Sequence, residues 1–236
     1  METIDYLCLG QTVPERSKKY GLRVCTAGID LKTNKLVRIY PLGVRKEQHF
    51  KRWHIYHDLP VRVNPKDSRP ESWRLNIDIE DLVHIKATKY KGDKRETLVN
   101  YFYESTIEQL NIDRKSLAII KLIKPEGYFV NQSKNPVNVI QYCLFEDVEE
   151  INSFGKESYK LLPRVKFKDE INKPHDLMYN SWDAYQHQVN LADKYGANDL
   201  WKVIDLSPKK PKYALIGNMN HQRNTWLIIT IFNITP

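Results

Sequence analysis

Asp67, Arg69, Glu71 and Arg74 alternate in charge within eight residues. Two arrangements fit that pattern. In one, Arg69 meets a phosphate or a base edge and the two carboxylates orient it. In the other, the charges satisfy one another and pin the segment to its own domain. His175 and Asp176 are adjacent in the chain, and together with His221 they make a weak catalytic candidate, an acid–base pair if the C-terminal half brings them together. The same residues read equally well as loop histidines. His49, His54 and His57 beside Asp58 do not read as a metal site. Positions 54 and 57 fall on opposite faces of a strand, and zinc needs about four converging ligands.

No glycine-rich phosphate loop, nucleophile elbow, paired-cysteine motif or nuclease carboxylate–lysine cluster occurs. The chain therefore reads first as a binding protein with no cofactor and no metal, and a nucleic-acid or nucleotide processing enzyme whose site is assembled from distant residues stays as an alternative. What it offers in quantity is cations beside aromatic rings. Lys18, Lys19, Arg23, Arg38, Arg45, Lys51, Arg52, Arg62, Arg69 and Arg74 lie in the same third of the sequence as Tyr20, Tyr40, Trp53 and Trp73. Cations neutralise phosphates, and each base stacked on an exposed ring contributes about 1–3 kcal/mol. The expected nucleic-acid-binding set is Lys18, Lys19, Arg23, Arg38, Tyr40, Arg45, Arg52, Trp53, Arg69, Trp73 and Arg74. The polar run Asn218–Asn224 between two apolar stretches is a further group of donors and acceptors, suited to base edges, to another protein, or to a plain hairpin tip.

Charge supports the same expectation. The 236 residues carry a net charge of +8. Residues 1–74 hold 15 Lys and Arg against 8 Asp and Glu, so nearly all of the surplus sits there. Such a surplus favours a polyanion, DNA or RNA first and an anionic membrane surface second, with an acidic protein partner as the alternative function. The cysteines, Cys8, Cys25 and Cys143, are odd in number and far apart, as expected of buried thiols in a reducing compartment. No leader-like segment and no apolar run of membrane-spanning length is present, so the sequence reads as cytoplasmic and not membrane-bound.

The elements that must position these residues are mostly short strands. Residues 4–9, 22–29, 36–40, 53–63, 82–90, 137–145, 161–167, 201–206, 213–217 and 226–232 read as strands. Pro41 is expected to stop the third of these. Residues 117–131 read as a β-hairpin turning at Lys124–Gly127. Ser105 and Glu108 fit a capping box for a short mid-chain helix. Ser181–Tyr195 carries Trp182, Tyr185, Val189 and Ala192 at helical spacing, with Gly196 placed to end a second helix. Residues 207–212 read as an exposed basic loop. The strands come in hairpins rather than in βαβ units. The expected fold is mostly β, two tandem small OB-like antiparallel barrels, residues 1–110 and 111–236.

Several segments resemble a known family. They are Ser17–Gly21, Val24–Asp30 (Val-Cys-Thr-Ala-Gly-Ile-Asp), Leu36–Pro41, Asp67–Glu71, Leu215–Asn218 and Trp226–Ile229. Together they resemble the dual-OB-containing domain of prokaryotic and phage proteins, with a related likeness to phage domains associated with nucleotide modification. The resemblance implies two OB-like barrels and a role around nucleic acid, often in phage–host conflict. It supplies no catalytic residues.

Overall fold

Tyr6, Leu7, Cys8 and Leu9 do not alternate polar with apolar, and all four are fully buried. A strand written this way has to be covered on both faces. The computed structural model describes residues 2–17, 21–43, 50–131, 161–190, 199–220 and 222–234. In it the first strand, β1 (Glu2–Gln11), turns Ile4, Tyr6 and Cys8 into one core and Leu7 and Leu9 into another. The period-2 geometry of a strand makes that division.

The other strands of the first sheet are β2 (Glu15–Ser17), β3 (Gly21–Asp30), β4 (Lys35–Gly43), β5 (His54–Val63), β6 (Ser72–Leu75) and β7 (Ala87–Lys89). Their ring runs β1-β3-β4-β6-β5 and closes by pairing β5 with β1. Helices α1 (Arg95–Tyr101) and α2 (Ile107–Ile112) follow, with the two-residue β8 (Tyr103–Glu104) between them. The second sheet adds β9 (Leu117–Asn131), β10 (Leu161–Lys168), β11 (Pro174–Tyr179), β12 (Lys212–Met219) and β13 (Gln222–Asn233). These five also close, in the order β9-β10-β11-β13-β12 and back to β9. Both rings therefore have the same topology. Numbered within each ring, the strands run first, second, third, fifth, fourth. Every neighbour is antiparallel except the third and fifth, β4 with β6 and β11 with β13. Two five-stranded barrels in tandem is the architecture expected from the sequence.

The barrels share a core as well as having their own. Ala118, Ile120, Leu122, Ala214, Ile216 and Ile228 fill the second barrel. The alternate residues Leu117, Ile119, Leu215 and Ile229 face out of it and meet Leu7, Leu9, Ala27 and Ile29 from the first. Helix α3 (Trp182–Asn190) leaves the third strand of the second ring, yet Trp182 and Tyr185 pack into the first barrel's cluster while Ala184 packs into the second's.

Prolines read from the sequence as stops turn out to be bends. β4 runs on through Pro41 to Gly43. Tyr40 and Pro41, joined by a cis peptide bond, lie opposite Cys25 at a register shift, where proline's missing N–H breaks no ladder. Residues 117–131 form one strand rather than a hairpin. Lys124 adopts φ 51°, and the register slips between the pairs Lys168–Ile123 and Lys166–Glu126. The bulge bends β9 so that its first half pairs with β12 and its second with β10.

Residues 82–90, expected as a strand, form a 3₁₀ turn (Ile79–His84) and the short β7. Leu82 alone is buried in that turn, while Val83 is 76% exposed. Residues 201–206, also expected as a strand, fall largely in a helix, α4 (Leu200–Ile204), on which Leu200, Trp201 and Ile204 meet the second core. Lys212, expected in an exposed loop, is buried on β12 near Asp205. The mid-chain helix begins one residue later than expected, with Thr106 Oγ1 accepting from the Gln109 N–H. The strand expected at 137–145, the end of the helix expected at 181–195, and Cys143 lie outside the described residues.

Trp201 stacks on bare backbone. A Cβ at Gly127 would stand 2.2 Å from Trp201 Cδ2, so only glycine permits the contact. Gly127→Ala is expected to displace the indole and destabilise the protein by about 1–3 kcal/mol, read as a lower urea midpoint with an unchanged slope.

Candidate functional site

The β4 bulge and the loop between β5 and β6 build one side of a pocket between the barrels. Asn64 Nδ2 donates to the Tyr40 carbonyl at 3.1 Å, which ties the loop to the bulge. Asp67 then organises the loop from within. Its carboxylate accepts from the Arg69 N–H and from Ser72 Oγ, and it forms a two-point ion pair with the Arg69 guanidinium. The remaining Arg69 nitrogen, Nη1, donates to the Asn218 carbonyl at 2.7 Å. Arg38, from the middle of β4, reaches the same carbonyl at 3.3 Å. Its Nη2 also donates to the Ser116 carbonyl at 2.5 Å and to Ser116 Oγ at 2.9 Å, and lies 3.3 Å from Glu71. Both arginines belong to the first barrel, and their acceptors Asn218 and Ser116 to the second.

Above this clamp is a cavity of about 260 Å³. Tyr40, Pro41, Met219, Leu227 and Ile229 give it apolar walls, and Thr12, Cys25, Asn180 and Asn218 add polar groups. Five cations, Arg23, Arg38, Lys66, Arg69 and Arg74, line it against two acids, Glu15 and Asp67. On the far side of Asn218 is a second hollow, lined by Asn111, Arg114, Lys115, Arg223 and Asn224 as well as Asn218 itself. Lys115 there pairs with Glu104, and Arg223 donates to Ser68 Oγ at 3.3 Å.

The expected binding residues divide three ways. Arg23, Arg38, Tyr40, Arg69 and Arg74 converge on the pocket. Arg38 and Arg69 are nevertheless buried and spent on protein acceptors, so they are not the surface cations expected. Arg52, Trp53 and Trp73 are placed elsewhere, and the expectation of exposed stacking rings does not hold for them. Trp53 is 9% exposed, stacked with Tyr90, tilted against Phe232 and covered by the Arg95 guanidinium. Trp73 packs against the first core. Arg52 pairs with Asp183 at 2.6 Å and donates to Thr230 Oγ1 and to the Ile231 carbonyl, a second bridge between the barrels. Lys18, Lys19 and Arg45 lie outside the described residues.

The alternating charges at 67–74 thus serve mainly as an internal network. The His175–Asp176 pair does not form. Adjacent residues on β11 point to opposite faces, and His175 Nε2 instead meets Asp169 Oδ2 at 2.9 Å. Asp169 also accepts from the Lys173 N–H, so this contact stitches the β10–β11 turn. Asp176 pairs with Arg164 on the other face. His221 lies outside the described residues. Among the described residues no group of three or more His, Cys, Asp or Glu is placed to hold a metal. No helix among them is long and apolar enough to cross a membrane.

Sequence reasoning missed Asn64, Lys66, Asn180 and Leu227, which join one pocket only when two barrels meet. Burial shapes the chemistry of the pocket. It pushes the Cys25 thiol up, against the pull of Arg38 and Arg69, and raises the Tyr40 phenol. It lowers the affinity of Arg38 for its proton, as does the neighbouring Arg69, although a guanidinium stays charged. For Asp67 burial acts upward, but the hydrogen bonds from Arg69 and Ser72 outweigh it and hold the carboxyl below the usual range.

Two measurements test this clamp. Arg38→Ala strands buried carbonyls and is expected to cost about 3–5 kcal/mol of unfolding free energy. Arg52→Ala, at a half-exposed pair, is expected to cost about 1 kcal/mol. Equal losses in denaturant titrations would contradict the assignment. Because the folded Asp67 pKa is depressed, its contribution is full above the unfolded value of about 3.9 and is lost as pH falls through the lower folded value. Asp67→Asn is expected to flatten the acid limb of a stability–pH curve over that window.

Residues 2–101 match the model of a family described as Domain of unknown function (DUF8758). That span takes in the first barrel and α1 and ends before the second barrel begins. No curated protein and no solved structure matches the chain.

Proposed function

We propose that this protein is a nucleic-acid-binding module that engages single-stranded or distorted DNA, or RNA, along the rim of the inter-barrel pocket. One observation carries the reading: the cation-rich cavity lies on the second and third strands of the first barrel, β3 and β4, and is bordered by the loops after its first and fourth strands. Five-stranded barrels of this topology bind oligonucleotides with that face and those loops, an argument from fold analogy. The chemistry of the site supports the analogy. Five cations line the pocket, Arg23, Arg38, Lys66, Arg69 and Arg74, and two of them, Arg38 and Arg69, are occupied by the clamp. Beyond Asn218 the second hollow adds Arg114, Lys115 and Arg223. Cations on either side of one residue suit a chain of phosphates better than a single anion.

This reading differs from a broad stacking platform. The rings expected to stack are mostly core, so affinity rests chiefly on phosphate contacts. Binding of a single-stranded oligonucleotide is expected to weaken linearly in log K against log salt. For single strands each phosphate contact contributes about 0.7 to the slope. Lys66→Gln with Arg74→Gln is expected to reduce the slope by about 1.4. Fluorescence anisotropy across a salt series measures it. Absence of binding even at low salt, for both DNA and RNA, overturns the proposal.

A further inference from the structure

The inter-barrel cavity is too small and too varied in its lining to be only a stretch of phosphate track. At about 260 Å³ it falls just below the range of pockets for drug-sized ligands, roughly 300–1,000 Å³. Beside its cations, the lining holds an aromatic ring, a proline ring and three aliphatic or thioether side chains, which suit the faces of a flat heterocycle. Three residues of the lining, Arg38, Asn180 and Asn218, are each at least nine-tenths buried, and each keeps one polar atom without a hydrogen-bond partner: Arg38 Nε, Asn180 Oδ1 and Asn218 Oδ1. Buried polar groups are ordinarily paired, and leaving one unpaired is costly. Three at one cavity point to a ligand that pairs them. The hydrogen bonds already made fix what is left over. Asn218 Nδ2 donates to two carbonyls and Asn180 Nδ2 faces Glu15 Oε1, so both side chains have acceptors to spare while Arg38 has a donor.

We infer that this cavity takes a single unstacked nucleobase, swung out of the strand whose phosphates lie on the rim. The inference rests on the nucleic-acid reading above and adds what enters the pocket. A base supplies the edge that the pocket lacks, N–H donors for the two amide oxygens and a carbonyl or ring-nitrogen acceptor for the guanidinium. Its faces lie against Tyr40 and Pro41 on one barrel and Met219, Leu227 and Ile229 on the other.

The test uses the full-length protein and two oligonucleotides of one length, one intact and one in which every nucleotide is abasic, with free nucleosides as a third ligand. Affinities are measured at low salt. A second readout needs no variant: alkylation of Cys25, which lines the cavity, followed by peptide mass spectrometry with and without nucleoside. The inference expects the intact strand to bind at least tenfold more tightly than the abasic one. It expects Asn180→Ala to lose about tenfold for the intact strand and little for the abasic one, and nucleosides to slow Cys25 alkylation. Equal binding of the two strands, with Cys25 alkylation unaffected, overturns the base pocket and leaves the phosphate reading standing. Failure of both strands to bind at low salt overturns both.

Discussion

One backbone carbonyl, that of Asn218, accepts hydrogen bonds from two arginines that arrive from different places in the first barrel. Arg38 comes from the middle of a strand and Arg69 from a loop, and neither guanidinium has much access to water. The two positive charges stand close together, and the arrangement holds because Glu71, Asp67, the Ser116 carbonyl and the Asn218 carbonyl surround them with acceptors. Remove one and the others become buried charges or orphaned carbonyls, each far more expensive to hide than a matched set. The polar clamp sets the register of one barrel against the other at one end of their contact, and Arg52 on Asp183 and Thr230 does so elsewhere with more solvent about it.

Between these polar contacts the contact is oily and is produced by strand parity. β1, β9, β12 and β13 each place alternate residues in two different cores, so none can be described as having an inside and an outside. The consequence for the site is rigidity. Cys25, Tyr40, Gly217 and Ile229 line the pocket from strands held on both faces, whereas Lys66 and Arg69 come from a loop tied down by Asp67 and Asn64. The pocket is built from scaffold more than from mobile connection, the usual condition for holding a small ligand in one orientation.

How much of this could be read from the sequence follows from the same physics. The strands at 22–29, 53–63, 161–167, 213–217 and 226–232 are legible because apolar runs bounded by turn formers carry a local signal. The helix from Trp182 was visible because a capping residue precedes a helical period. Pro41 and the Lys124–Gly127 segment misled because proline and glycine mark bulges as readily as turns, and only the pairing partner decides which. Trp53 and Arg38 misled for a different reason. A tryptophan or arginine beside other cations suggests a surface, but both are buried by residues more than a hundred positions away in sequence, Phe232 for one and Asn218 for the other. The charge pattern at 67–74 was legible as two alternatives, and the structure favours the internal network. Asn180 had no signal at all: its importance comes from the meeting of two rings.

The shared oily face has a further consequence for any shorter polypeptide. The segment that resembles a described family ends at residue 101, before the second ring starts. A chain stopping there would present Leu7, Leu9, Ala27 and Ile29 to water as a contiguous sticky sheet face. Such a face invites self-association or a substitute lid. The second ring serves here as a solubilising cover as well as half of a pocket.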